Sequence, residues 1–251
     1  MRCVFVLGTA GSGKSLLAHR LHQYYNNQGV FPALLNLDPG AESLPYAPDI
    51  DVRDHVDVVS VMRRYELGPN GGLVMANDMT AARLDEIQGE IDAVNPDYLV
   101  VDTPGQVELF AYRSSGPYLA SGMSADTKAA VFLFDGAMMG SASNYISVSL
   151  LAASIRLRVG LPCVNVLSKS DIAAAPPDRI LGWASDAAAA LEEAAAEAPG
   201  RMYSLISAIA AGMDEEYPQE IIPVSSATGD GMADLEAALS RILNMGEEVE
   251  D

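Results

Sequence analysis

The chain has 251 residues, 34 of them acidic and 15 basic, for a formal charge of −19, and 49% of it is hydrophobic. That length suits one substantial core, and no shift in composition divides it, so 1–251 is expected to form a single domain. The acidic excess argues against nucleic-acid or anionic-membrane partners; no apolar run approaches a membrane helix, and Cys3 and Cys163 read as reduced core thiols of a cytoplasmic protein.

In chain order, RCVFVL (2–7) is a continuous apolar run, as expected of a strand covered on both faces. It leads into Gly8-x-x-x-x-Gly13-Lys14-Ser15 and a helical stretch near 14–27. This is the spacing of a phosphate loop. The amides of Gly11, Ser12, Gly13, Lys14, Ser15 and Leu16 can turn inward around a phosphate chain, helped by the positive end of the helix. Lys14 supplies charge for the β- and γ-oxygens, and Ser15 a hydroxyl for Mg²⁺. A second strand, 32–37, ends at Asp38, placed to contact Mg²⁺ or accept a proton from water.

Helices are expected near 54–66 and 78–95, the second marked by Leu84, Ile87, Ile91 and Val94 on one face. Between them lies GPNGG, 68–72, which on its own fits a type II turn centred on Pro69 and Asn70. A strand at 97–102 ends in Asp102, an acid that can hold Mg²⁺ through water. Next, Gly105 can offer its N–H to a γ-phosphate and Gln106 its amide to an attacking water.

Strands at 129–134 and 162–167 flank a helix near 141–159. The second ends in Ser168-Lys169-Ser170-Asp171. One carboxylate at Asp171 can accept both N1–H and the N2 amino group of guanine, whereas adenine would leave it desolvated and unpaired. The Lys169 stem can lie along the base plane. Helices near 178–197 and 202–213, a strand at 220–224, a helix at 231–244 and an acidic tail at 246–251 complete the chain; in SSATG, Ser226-Ala227 can present a backbone N–H to guanine O6. The alternation predicts an α/β fold, a mostly parallel sheet with helices on both faces, binding ligand at the carboxyl ends of its strands.

The segments GTAGSGKS (8–15), NLDPGAE (36–42), GPNGG (68–72), DTPGQVEL (102–109), SKSD (168–171) and SSATG (225–229) together resemble the GPN-loop GTPases. The resemblance implies a three-layer P-loop NTPase with the GPN loop in a helical insertion. It also implies Mg²⁺-dependent hydrolysis of GTP to GDP, with Lys14, Asp38, Gln106 and Asn70 catalytic and Ser15, Asp102 and Asp38 toward the metal. In the homodimer it implies, Asn70 acts at the partner's nucleotide in the role of an arginine finger, on a loop stiffened by Pro69 and brought close to phosphate by its glycines. A protein client, such as RNA polymerase subunits, with hydrolysis as a timer is the further implication. Thr9, Leu16, Gly40 and Ser168 depart from the pattern: Gly40 adds freedom beside Asp38, and Thr9 stands where a MinD-like ATPase would carry a second lysine. A P-loop kinase would want a basic acceptor-binding cluster, which the sequence does not display.

Overall fold

The computed structural model describes residues 1–197, 204–205 and 220–244. In chain order its elements are β1 (Arg2–Gly8), α1 (Lys14–Asn27), β2 (Pro32–Asn36), β3 (Ile50–Asp51), α2 (Val58–Arg64), α3 (Pro69–Ala81), α4 (Leu84–Val94) and β4 (Tyr98–Asp102). They continue with α5 (Val107–Ala111), α6 (Ser115–Gly122), β5 (Thr127–Asp135), α7 (Ala142–Val159), β6 (Cys163–Ser168), α8 (Pro177–Ser185), α9 (Ala187–Glu197), β7 (Ile221–Val224) and α10 (Met232–Leu243). Seven strands form one sheet in the order β3-β2-β4-β1-β5-β6-β7, every neighbouring pair parallel.

The continuous apolar runs follow from burial on both faces. In β1, Cys3, Phe5 and Leu7 join a core with Leu35, Val101, Phe132 and the α4 residues Ile87 and Ile91. The alternate residues Val4 and Val6 pack with Leu17 and Leu21 of α1 and Leu235 and Leu239 of α10 on the other side. This is the three-layer α/β arrangement expected. Register then gathers the strand ends: Asp102 pairs with both Val6 and Asn36, and Ser168 pairs with Asp135 and Val224.

Several boundaries differ from expectation. The two-residue β3 and the short helices α5 and α6 carry too few residues to show a period. The expected 178–197 helix is interrupted at Asp186, whose extended backbone lets its carboxylate cap the Ala189 N–H at 2.9 Å. The helix expected over 202–213 lies outside the described residues apart from Ser204 and Leu205, which are helical, and the 246–251 tail lies outside them entirely. Among the described residues no helix is long and apolar enough to cross a membrane.

The largest correction concerns 68–72. The stretch is not a turn but the start of α3, which begins about two and a half turns before the expected helix. Gly68 is the extended N-cap, with φ −72° and ψ 173°, and Pro69 takes the first helical position, where its missing N–H costs nothing. Gly72 is there for packing: a Cβ on it would stand 2.3 Å from Cγ of Met62 on α2. The two helices close over a small satellite core of Val56, Val61 and Ala76. Gly72→Ala therefore lowers Tm, at an overpacking cost of about 1–3 kcal/mol. Adding Met62→Ala restores part of it; an unchanged Tm for the single variant contradicts the packing account.

Candidate nucleotide-binding site

Residues 9–13 link β1 to α1, turning on Gly11 and Gly13 with φ of 77° and 95°. The turn brings Lys14 to the head of α1 with only 5% of its surface exposed. Its ammonium donates to three carbonyls, those of Gly8 at 2.8 Å, Thr9 at 3.0 Å and Gly105 at 2.9 Å. Burial draws the Lys14 pKa below its ordinary value, opposed by the carboxylates of Asp102, Asp38 and Glu108. Ser12 adds a buried hydroxyl with no hydrogen-bond partner. A buried cation and an unpaired polar group thus sit together where the loop enters α1, an arrangement suited to a phosphate chain.

Gly105 is held through both of its flanking peptide groups. Its carbonyl accepts from Lys14, while its N–H donates to Asp38 Oδ2 at 2.8 Å. The other oxygen of Asp38 accepts from the Gly40 N–H, also at 2.8 Å. Both oxygens of this carboxylate are therefore occupied by amides, and the N–H expected to serve a γ-phosphate already carries an anionic oxygen. Gly40 does not loosen this corner. A Cβ there would come within 2.3 Å of Leu73 Cδ2, so α3 rests directly on the Asp38 loop.

Asp102 is 1% exposed at the tip of β4. Tyr46 donates to its Oδ2 at 2.8 Å, while Oδ1 is buried without a hydrogen-bond partner. Burial raises the Asp102 pKa against the pull of the Ser15 and Tyr46 hydroxyls and the Lys14 ammonium. Burial and the adjacent Asp102 charge likewise push the Tyr46 phenol upward. A buried carboxylate oxygen left free beside a serine hydroxyl fits a hard divalent cation, which takes oxygen ligands.

Four contributors here were given no role in the sequence reading: Tyr46, Asp51, Arg53 and Asn36, the last standing at the head of the NLDPGAE segment. The Asn36 side chain accepts from the Asp38 N–H at 3.0 Å and donates to Asp51 at 2.9 Å. Arg53 grips Asp51 at 2.6 Å and the Ala41 carbonyl at 2.9 Å. The Asp38 loop is thereby pinned at both ends. A fully buried asparagine closing an apolar strand was the available signal.

At the other end, Ser168 donates to the Ser12 carbonyl at 2.8 Å, tying the SKSD segment to the phosphate loop despite lacking an amide. Lys169, at φ 54°, pairs with Asp135 at 2.8 Å, so its ammonium is anchored. Asp171 and Ala227 are exposed at this rim, and Ser226 is buried beneath it. Leu16, on the first turn of α1, is half-exposed. Gln106 is the exposed N-cap of α5, and Asn70 is exposed in the first turn of α3. Among the described residues no hydrogen bond joins either side chain to the phosphate loop of its own chain.

A parallel sheet with a lysine-bearing phosphate loop after β1 and a buried aspartate on the adjacent strand defines a P-loop nucleotide-binding protein. Residues 6–245 match the model of a family described as "conserved hypothetical ATP binding protein". The GPN-loop GTPase 1 of Schizosaccharomyces pombe is 30% identical over 98% of this chain and 70% of its own length. GPN-loop GTPase 3 of Eremothecium gossypii is 29% identical over 97% of this chain and 92% of its own. A GTPase from Pyrococcus abyssi, solved in apo form, superposes with a TM-score of 0.84 at 28% identity, covering 96% of this chain and 97% of that one. The chain belongs to the GPN-loop GTPase family, P-loop enzymes that hydrolyse GTP. It spans 58% of the Dictyostelium discoideum GPN-loop GTPase 1 that it also matches.

Proposed function

We propose that this protein binds GTP with Mg²⁺ and hydrolyses it to GDP and phosphate as a cytoplasmic homodimer. The observation that carries the reading is Gly105, whose carbonyl accepts from Lys14 and whose N–H donates to the Asp38 carboxylate. In this reading Lys14 and the amides of 11–16 take the phosphates, and Ser15 and Asp102 would hold the cation. Bound Mg²⁺ supplies compensation for the charge shared by the β- and γ-oxygens. Asp38, backed by Asn36 and Arg53, orients or activates water together with Gln106. Asp171, Lys169 and the Ala227 N–H read the base. Phosphoryl transfer needs placement and charge compensation rather than covalent help, and these groups supply both.

Asn70 sits exposed on α3, unattached to its own phosphate loop, which suits action at a second subunit's nucleotide. The test is phosphate release by Asn70→Ala, which falls about tenfold or more while GDP affinity stays within about twofold. Mixing it with Lys14→Ala then restores part of the rate, because each mixed dimer keeps one complete site. No recovery on mixing overturns the shared site. Phosphate release that persists when Mg²⁺ is chelated overturns the metal assignment.

A protein partner is the second reading, favoured by one face of α7. Leu157 is 87% exposed and Leu150 40% exposed, flanking Ser154, which Tyr112 contacts from the neighbouring segment at 2.7 Å. Such a face suits a client whose release hydrolysis would time, RNA polymerase subunits among the candidates. Client-stimulated turnover is the distinguishing result.

A further inference from the structure

We propose that Arg20 is a positioning residue for base selection, fixing the backbone that distinguishes a 6-oxo from a 6-amino purine. The inference rests on the base-site reading given above and adds to it a residue outside every motif in the sequence.

Arg20 lies on α1, about a turn and a half beyond Lys14, and reaches across to the loop that follows β7. Its Nε donates to the Ser226 carbonyl at 2.6 Å, and its Nη2 to the Ala227 carbonyl at 3.0 Å. The remaining arm, Nη1, donates to Gln23 Oε1 at 3.1 Å, which braces the guanidinium against its own helix. Gln23 in turn meets His19 at 3.0 Å, so the brace is itself held. A planar fork with three fixed contacts cannot swing without breaking several of them at once.

What this grip controls follows from peptide geometry. The Ser226 carbonyl and the Ala227 N–H belong to the same planar amide, and in a trans peptide they point in opposite directions; the chain has no cis peptide among its described residues. Holding the oxygen toward α1 therefore aims the Ala227 N–H away from α1. The next amide is settled too: its carbonyl, that of Ala227, goes to Arg20, and its N–H, that of Thr228, goes to Ser225 Oγ at 3.2 Å. Two successive peptide planes are locked, and the exposed Ala227 N–H is left with one direction.

A directed N–H donates to a carbonyl oxygen at purine position 6 and faces donor against donor when an amino group stands there. The penalty for the wrong group depends on the amide not turning away, which is the freedom Arg20 removes. The adjacent Asp171 reads a different edge, N1–H and the 2-amino group. Base selection thus divides into two separable parts.

The experiment measures dissociation constants of GDP, IDP and ADP for the intact protein and for Arg20→Ala and Arg20→Lys, with inorganic tripolyphosphate as a base-free probe of the phosphate loop. IDP keeps the 6-oxo group and lacks the 2-amino group. For Arg20→Ala, the preference for IDP over ADP falls about tenfold, while the GDP-to-IDP ratio and tripolyphosphate affinity hold within about twofold. Arg20→Lys recovers little, because one ammonium cannot reproduce the fork. An unchanged IDP-to-ADP ratio overturns the role. So does a loss of tripolyphosphate binding in parallel with the nucleotides, which marks general damage to α1. If the unaltered protein itself fails to prefer GDP over ADP, the base-site reading falls and this inference with it; selective wild type with an equally selective variant removes Arg20 alone.

Discussion

Lys14→Ala lowers GTP hydrolysis by about a thousandfold or more, measured as phosphate release at saturating GTP and Mg²⁺. The reason is visible before any nucleotide arrives. The ammonium is buried in a cage of three carbonyl oxygens, and its pKa is pulled down by that burial while nearby carboxylates hold it up. A triphosphate brings several more negative oxygens to the same loop, and among the described residues no other Lys or Arg donates to the Gly8, Thr9 or Gly105 carbonyls. The variant also loses stability without ligand, by roughly 1–3 kcal/mol, because buried carbonyls are left without a donor. Thermal melting reads that second effect. Hydrolysis near the wild-type rate contradicts the assignment of the phosphate loop, whatever the melting temperature does.

Asp171→Asn weakens GDP binding by about two to three orders of magnitude and raises affinity for the xanthine nucleotide, which offers a carbonyl where guanine has an amino group. Asp171 is exposed at the rim with SKSD held to the phosphate loop through Ser168, so the substitution changes the chemistry of one edge without removing a core contact. Competition by GDP, XDP and ADP against a fluorescent nucleotide decides it. The measurement also settles the base against the "ATP binding" description of the matched family. A variant that still prefers GDP to XDP contradicts guanine reading by this carboxylate.

The sheet was legible because six of its seven strands are buried on both faces and read as unbroken apolar runs. β3, with two residues, has no pattern to read. The charged ends of those runs were legible as well: Lys14, Asp38, Asp102 and Lys169 each follow a hydrophobic stretch, and parallel register carries them to one edge of the sheet. The positioning groups were not. Tyr46, Asp51, Arg53 and Arg20 act through partners 12 to 207 positions away, some inside loops with no period, and local spacing says nothing about such pairs. At 68–72 two rules competed. Pro-Asn-Gly-Gly satisfies turn chemistry, yet proline at a first helical position and a glycine facing Met62 satisfy helix packing, and tertiary contact decided for the helix.

The Asp38 bond to Gly105 links the phosphate loop to the helix that carries Asn70. On the proposed reading a diphosphate would leave that bond intact. On the same reading a third phosphoryl group would compete with Asp38 for the same N–H. The carboxylate would not yield alone, since its other oxygen holds Gly40, and Gly40 is the seat of Leu73, three positions after Asn70 on the same helix. Under the proposed function, exchange of carboxylate for phosphoryl oxygen in the interior would be felt at the helix that carries Asn70, so that the surface would register two phosphates differently from three.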